Sequence, residues 1–100
     1  MMSKPKLVRD KIPEIILKND GVKPKIAVLN DKQYFNALLV KLKEECREFT
    51  KDNNSEELAD ILEVVYALGK ALGISEQSLN LVRQKKARER GRFEKKIKLF

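Results

Sequence analysis

Glu44-Glu-Cys-Arg-Glu-Phe-Thr-Lys-Asp-Asn-Asn-Ser-Glu-Glu-Leu-Ala-Asp-Ile-Leu-Glu63 is the stretch that decides how this chain folds. It holds eight of the 15 acidic residues and two of the 22 basic ones, so the formal charge runs +6 over residues 1–43, −6 over 44–63 and +7 over 64–100. Inside this acidic island Glu44, Glu45 and Glu48 form an E-E-x-x-E unit, and Glu57 with Asp60 forms E-x-x-D. Residues three or four apart share one helix face, so each unit presents a pair of carboxylates in one direction. Lys51-Asp-Asn-Asn-Ser55 between them is turn-like, with Asn54 or Ser55 placed to cap the second helix. The reading is an antiparallel helix hairpin with Glu45, Glu48, Glu57 and Asp60 facing one another.

Leu58-Ala-Asp-Ile-Leu-Glu-Val-Val-Tyr-Ala-Leu68 is apolar all round except for Asp60 and Glu63. A helix apolar on every side is a buried one, and a buried carboxylate costs several kcal/mol unless it is paired or bound to a metal. No Lys or Arg lies between Lys51 and Lys70, so local side chains are not expected to neutralise these acids, and a divalent cation is.

One hundred residues make one small domain, 1–100, with more apolar surface on the 58–68 helix than its own partners cover; a homo-oligomer is expected. Charged residues at 37% and hydrophobic ones at 42% fit a helix-rich globular chain, and no apolar run is long enough for a membrane span or a signal segment. The expected location is cytoplasmic. Without histidine, and with Cys46 alone, the chain builds neither a disulfide nor a zinc site. Its metal must be hard and oxygen-ligated, Mg²⁺ or Mn²⁺ before Ca²⁺. Cys46 reads as a small core residue between Leu42 and Phe49. The net charge of +7 suggests an anionic partner.

In chain order, the basic opening is an extended arm that ends in Lys6-Leu-Val-Arg9; Asp10 to Asn19 reads as a short helix with Pro13 in its first turn and Ile12, Ile15 and Ile16 inward. Residues 23–29 read as a connector or short strand that can pair with 5–9. The next helix starts at a capping box of Asn30 and Gln33, with a core stripe of Phe35, Leu38, Leu39, Leu42, Cys46 and Phe49. A third helix runs from about Ser55 to Leu72 and stops at Gly73; a fourth begins at Ser75, sends Leu79 and Val82 inward and breaks near Gly91. Phe93, Ile97, Leu99 and Phe100 are expected to fold back onto the core or onto a neighbouring subunit. The fold class is therefore all-α: a helical bundle of about four helices built on the antiparallel hairpin, with a short extended N-terminal arm.

Two facing carboxylate pairs make an oxygen-rich cage for Mg²⁺, whose remaining positions suit substrate phosphates. The Lys and Arg residues of 83–92 add cations for a leaving pyrophosphate, so the acidic and basic blocks read as two halves of one phosphoanhydride-cleaving site. With no histidine, the general base is a carboxylate or a hydroxide on the metal.

These residues resemble the all-α nucleoside triphosphate pyrophosphohydrolase superfamily, the MazG-like and phosphoribosyl-ATP pyrophosphohydrolase-like group. The resemblance rests on Lys6-Leu-Val-Arg-Asp-Lys-Ile-Pro-Glu-Ile-Ile16, Lys41-Leu-Lys-Glu-Glu-Cys-Arg-Glu48, Glu57-Leu-Ala-Asp-Ile-Leu-Glu-Val64 and Arg90-Gly-Arg-Phe-Glu-Lys-Lys-Ile97, nearly the whole chain. It implies Mg²⁺-dependent hydrolysis between the α- and β-phosphates to a nucleoside monophosphate and pyrophosphate, in the service of nucleotide-pool house-cleaning. It also implies dimers or tetramers of hairpins. Carried over by position, Glu45, Glu48, Glu57 and Asp60 are metal ligands, with Glu45, Glu48 and Asp60 as catalytic residues. Glu44 and Glu63 stand behind them or serve a further metal, and Lys86, Arg90, Arg9 and Lys11 contact phosphates. Two other readings compete: a basic helical module that binds nucleic acid through residues 83–98, and a non-catalytic oligomeric adaptor that keeps the hairpin without turnover.

Overall fold

Asn30 stands in extended backbone and its side chain accepts a hydrogen bond from the Gln33 backbone N–H at 2.9 Å, while the Gln33 side chain accepts from the Asn30 N–H at 3.1 Å. This reciprocal pair satisfies two of the donors a helix start leaves orphaned. It launches the longest element of the chain. The structure is a computed structural model that describes residues 5–100. Four helices make it up: α1 (Ile12–Asp20), α2 (Asp31–Lys51), α3 (Ser55–Ala71) and α4 (Glu76–Arg90). Asn54 caps α3 by accepting from the Glu57 N–H at 2.9 Å, and Ser75 caps α4 by accepting from the Ser78 N–H at 3.1 Å. Gly21, Gly73 and Gly91 all take positive φ just beyond a helix, where a Cβ would be strained.

The regular structure among the described residues is all helical, with no strand. Residues 5–9 and 23–29 are irregular, so the expected hairpin between them does not form; no ladder gives these isolated Val and Ile residues a partner. The α2–α3 pair is the body of the molecule, and α4 turns back onto the far end of α3. There Gly69 lets the chain pass closely: a Cβ on it would lie 3.2 Å from the Ile74 carbonyl oxygen and 3.7 Å from the Leu79 side chain. α1 makes no close backbone approach to the other three helices.

The core is thin. Leu38 on α2, 3% exposed, and Val64 on α3 are its buried apolar side chains, flanked by half-buried Phe35, Leu42, Phe49, Ile61, Val65 and Leu68. Cys46 and Leu39, expected inside, are exposed; the inward line of α2 runs through Leu38 and Glu45 instead, so the apolar stripe is rotated away from Cys46. α3 is not buried all round: Leu58 and Leu62 face outward, and Glu63 is exposed. Ile15 and Val82 are likewise exposed, and Phe93, Ile97, Leu99 and Phe100 lie almost wholly in solvent instead of against the core. Within this tail the Lys98 ammonium sits 5.4 Å from the centre of the Phe100 ring. The radius of gyration is 17.3 Å, against about 13 Å for a globular chain of this length.

Candidate metal centre

The hairpin turn brings the carboxylates together. Glu45 and Glu48 occupy the last turns of α2, Asp52 is its C-terminal capping position in non-helical backbone, and Glu57 and Asp60 sit in the first turns of α3. Glu45, Glu57 and Asp60 each offer a carboxylate oxygen within 4.8 Å of the others, and so do Glu48, Asp52 and Glu57. The two groups share Glu57. Three carboxylates on one hard cation, bound at about 2.1–2.5 Å, need oxygens no more than about 5 Å apart, and both groups meet that spacing. Of the four residues expected to face one another, Glu45, Glu57 and Asp60 meet in one group, and Glu48 meets Glu57 in the other, where Asp52 joins them. No helical period marks Asp52, because the loop backbone places it.

Glu45 is the most enclosed acid, 8% exposed, whereas Glu57 and Asp60 are half-buried and Glu48 is exposed. The acids are not left to a metal alone, contrary to the sequence expectation. The Arg9 guanidinium reaches Asp60 at 2.7 Å from the segment before α1, 51 positions away, and the Lys41 ammonium lies 3.2 Å from Glu45 and 3.6 Å from Glu44 one turn up α2. Both pairs are partly open to solvent, which limits their worth to about 1 kcal/mol or less each. They offset part of the repulsion and leave Glu57 without a cationic partner among the described residues.

The consequence is electrostatic. Partial removal from solvent, followed by the charges of Asp60, Glu48, Glu45 and Asp52, pushes the Glu57 carboxyl above its ordinary 4.5. A raised folded-state pKa favours the protonated form, so the stability Glu57 contributes is fully present below pH 4.5 and lost as pH rises through the raised value. In chelator-treated protein, Glu57→Gln is therefore expected to melt higher than the parent at neutral pH. The gap should close as pH falls toward 4.5, and thermal melts from pH 4 to 8 check this.

The remaining expected residues are placed differently. Glu44 pairs with Lys41, and Glu63 lines an open hollow beside Tyr34 and Tyr66 and belongs to neither carboxylate group. Lys11 is the exposed residue before α1. Lys86 and Arg90 are exposed on α4, and neither forms an ion pair with the island among the described residues; the one ion pair of that helix is Lys85 with Glu89 at 3.9 Å. No described helix is long and apolar enough to cross a membrane. Compared with family models, curated proteins and solved structures, the chain gives no match.

Proposed function

We propose that this protein is a Mg²⁺-dependent nucleoside triphosphate pyrophosphohydrolase, with Mn²⁺ as a possible substitute metal. The observation that carries the reading is the pair of three-carboxylate groups sharing Glu57 at the mouth of the hairpin. Five carboxylates, with no nitrogen or sulfur donor among them, suit a hard divalent ion, and all but Asp52 lie in the motifs that resemble the MazG-like group. Glu45, Glu48, Asp52, Glu57 and Asp60 would hold the cation. When bound, it supplies charge neutralisation for the phosphates and a more acidic attacking water.

The chain's own residues do the rest. Arg9, already at the rim on Asp60, would supply a guanidinium for a phosphate oxygen. Lys41 holds Glu45 and Glu44 in place from the side. Glu48, exposed to solvent, accepts the proton of the attacking water. Water oxygen bonds to the α-phosphorus, the bond from that phosphorus to the bridging oxygen breaks, and pyrophosphate leaves toward cations such as Lys86 and Arg90. The test is a panel of ordinary and modified nucleoside triphosphates with Mg²⁺. Pyrophosphate released from at least one of them, and none with EDTA, supports the reading; none from any removes it.

The working unit is a homo-oligomer, a cytoplasmic house-cleaning enzyme in this reading. Its support is the surface left over: 9563 Å² is accessible, against about 5,800 Å² for a folded monomer of 11.6 kDa. Leu58, Leu62, Phe93, Ile97, Leu99 and Phe100 are among the apolar side chains that contribute to it. Sedimentation should give a mass that is a multiple of 11.6 kDa at micromolar concentration. A Leu58→Glu/Leu62→Glu variant should shift toward the single chain.

A further inference from the structure

The hollow at the other end of the helix pair has a composition of its own. It measures about 610 Å³, within the roughly 300–1,000 Å³ usual for small-ligand sites, and is open on one side. Tyr34 and Tyr66 line it, and they are the only two tyrosines in a chain without tryptophan. The Tyr66 hydroxyl accepts a hydrogen bond from Asn80 of α4 at 3.3 Å, which fixes that ring between two helices. Asp10, Glu63 and Glu76 add three carboxylates to the lining, none in an ion pair among the described residues, and Lys70 adds a single ammonium.

The hollow and the carboxylate groups both draw residues from one stripe of α3. On α3, Asp60, Glu63, Ala67 and Lys70 fall on one stripe at helical period; on α2, Tyr34, Lys41, Glu45 and Glu48 do the same. Glu63, which lines the hollow, stands one turn from Asp60 on that stripe, about 4.5 Å along the axis, a step a ribose can span. The N-terminal segment touches both, since Arg9 binds Asp60 and the adjacent Asp10 lines the hollow.

We infer that the Tyr34–Tyr66 hollow receives the base of the nucleotide, and that it selects bases bearing an exocyclic amino group. The inference rests on the proposed reading of the carboxylates as the phosphate end. Aromatic faces stack on any base, whereas carboxylates only accept hydrogen bonds. Adenine, cytosine and guanine present a two-proton amino donor, whereas uracil and thymine offer only the ring N3–H, flanked by two carbonyl oxygens that a carboxylate repels, so an acceptor-rich wall favours the first group. The same acids repel phosphate, which turns the base end of the nucleotide toward the hollow.

Because both tyrosines line the hollow, ¹³C-tyrosine NMR reads it directly. The full chain with Mg²⁺ is titrated with adenosine, cytidine and uridine 5′-monophosphates and with ribose 5-phosphate, which has no base. The expected result is saturable movement of both ring signals with the adenosine and cytidine compounds, at affinities about tenfold or more tighter than for the other two. Glu63→Gln should shrink the preference for the amino-bearing bases, and Tyr66→Leu should weaken adenosine monophosphate about tenfold, followed through Tyr34. Rings unmoved by the adenosine and cytidine compounds, or moved equally by ribose 5-phosphate, overturn the inference. Pyrophosphate release with unmoved rings leaves the enzyme reading standing and removes this one; moved rings without release do the reverse.

Discussion

Glu57→Gln is expected to lower pyrophosphate release by about a thousandfold or more while leaving the chain folded. Glu57 is the one residue common to both carboxylate groups, so replacing one of its charged oxygens by an amide weakens both at once. A thousandfold corresponds to about 4 kcal/mol of transition-state stabilisation, the order that loss of a central metal ligand removes. Asp60→Asn and Glu48→Gln each touch one group, and both should also abolish measurable turnover if the two groups act together. Folding survives because each substitution dilutes a like-charge cluster, so metal-free Glu57→Gln and Glu48→Gln should melt no lower than the parent, while Asp60→Asn also gives up the Arg9 ion pair, worth about 1 kcal/mol or less. Steady-state rates alongside circular dichroism melts check both halves. A variant that keeps more than a tenth of the parental rate would show that its carboxylate lies outside the reacting centre.

Leu38→Ala should cost about 3 kcal/mol, within the roughly 2–5 kcal/mol seen when a buried leucine is truncated. Leu38 is 3% exposed and faces α3 in a core with one other buried apolar side chain, Val64, so little neighbouring material can collapse into the space. For a domain whose whole stability is of order 5–15 kcal/mol, that is a large share. Leu39, its neighbour in sequence, is 40% exposed, and Leu39→Ala should cost less than about 1 kcal/mol. Urea unfolding of the two variants separates them. Equal losses would mean that the α2–α3 packing is not what holds the hairpin.

The helix boundaries were legible because their signals are local. Asn30 with Gln33, Asn54, Ser75, Gly73 and Gly91 each act on backbone within a turn of themselves, and each stands where the residue type predicts. The phase of the α2 stripe was not. Hydrophobicity alone selects Leu39 and Cys46, yet Glu45 takes the inward line with its charge offset by Lys41 one turn earlier. Four of the site carboxylates followed from helical spacing. Asp52 did not, since its position comes from the φ of −121° and ψ of 86° at the end of α2 and not from periodicity. The partner of Asp60 was out of reach for a different reason: Arg9 lies 51 positions away, and no pattern in either segment announces the pairing. The low burial of α3 and of the tail corrects the sequence picture of an all-round buried helix within one chain, and it is the surface on which the proposed oligomer depends.

The most direct measurement follows the phosphorus atoms themselves. The protein is incubated with Mg²⁺ and a nucleoside triphosphate in ¹⁸O-water, and the products are read by ³¹P NMR. The account predicts nucleoside monophosphate carrying the label on its phosphate, with unlabelled pyrophosphate and no diphosphate, and loss of all products in Glu57→Gln. Nucleoside diphosphate with orthophosphate, label in the pyrophosphate, or an unchanged triphosphate across the panel would contradict it.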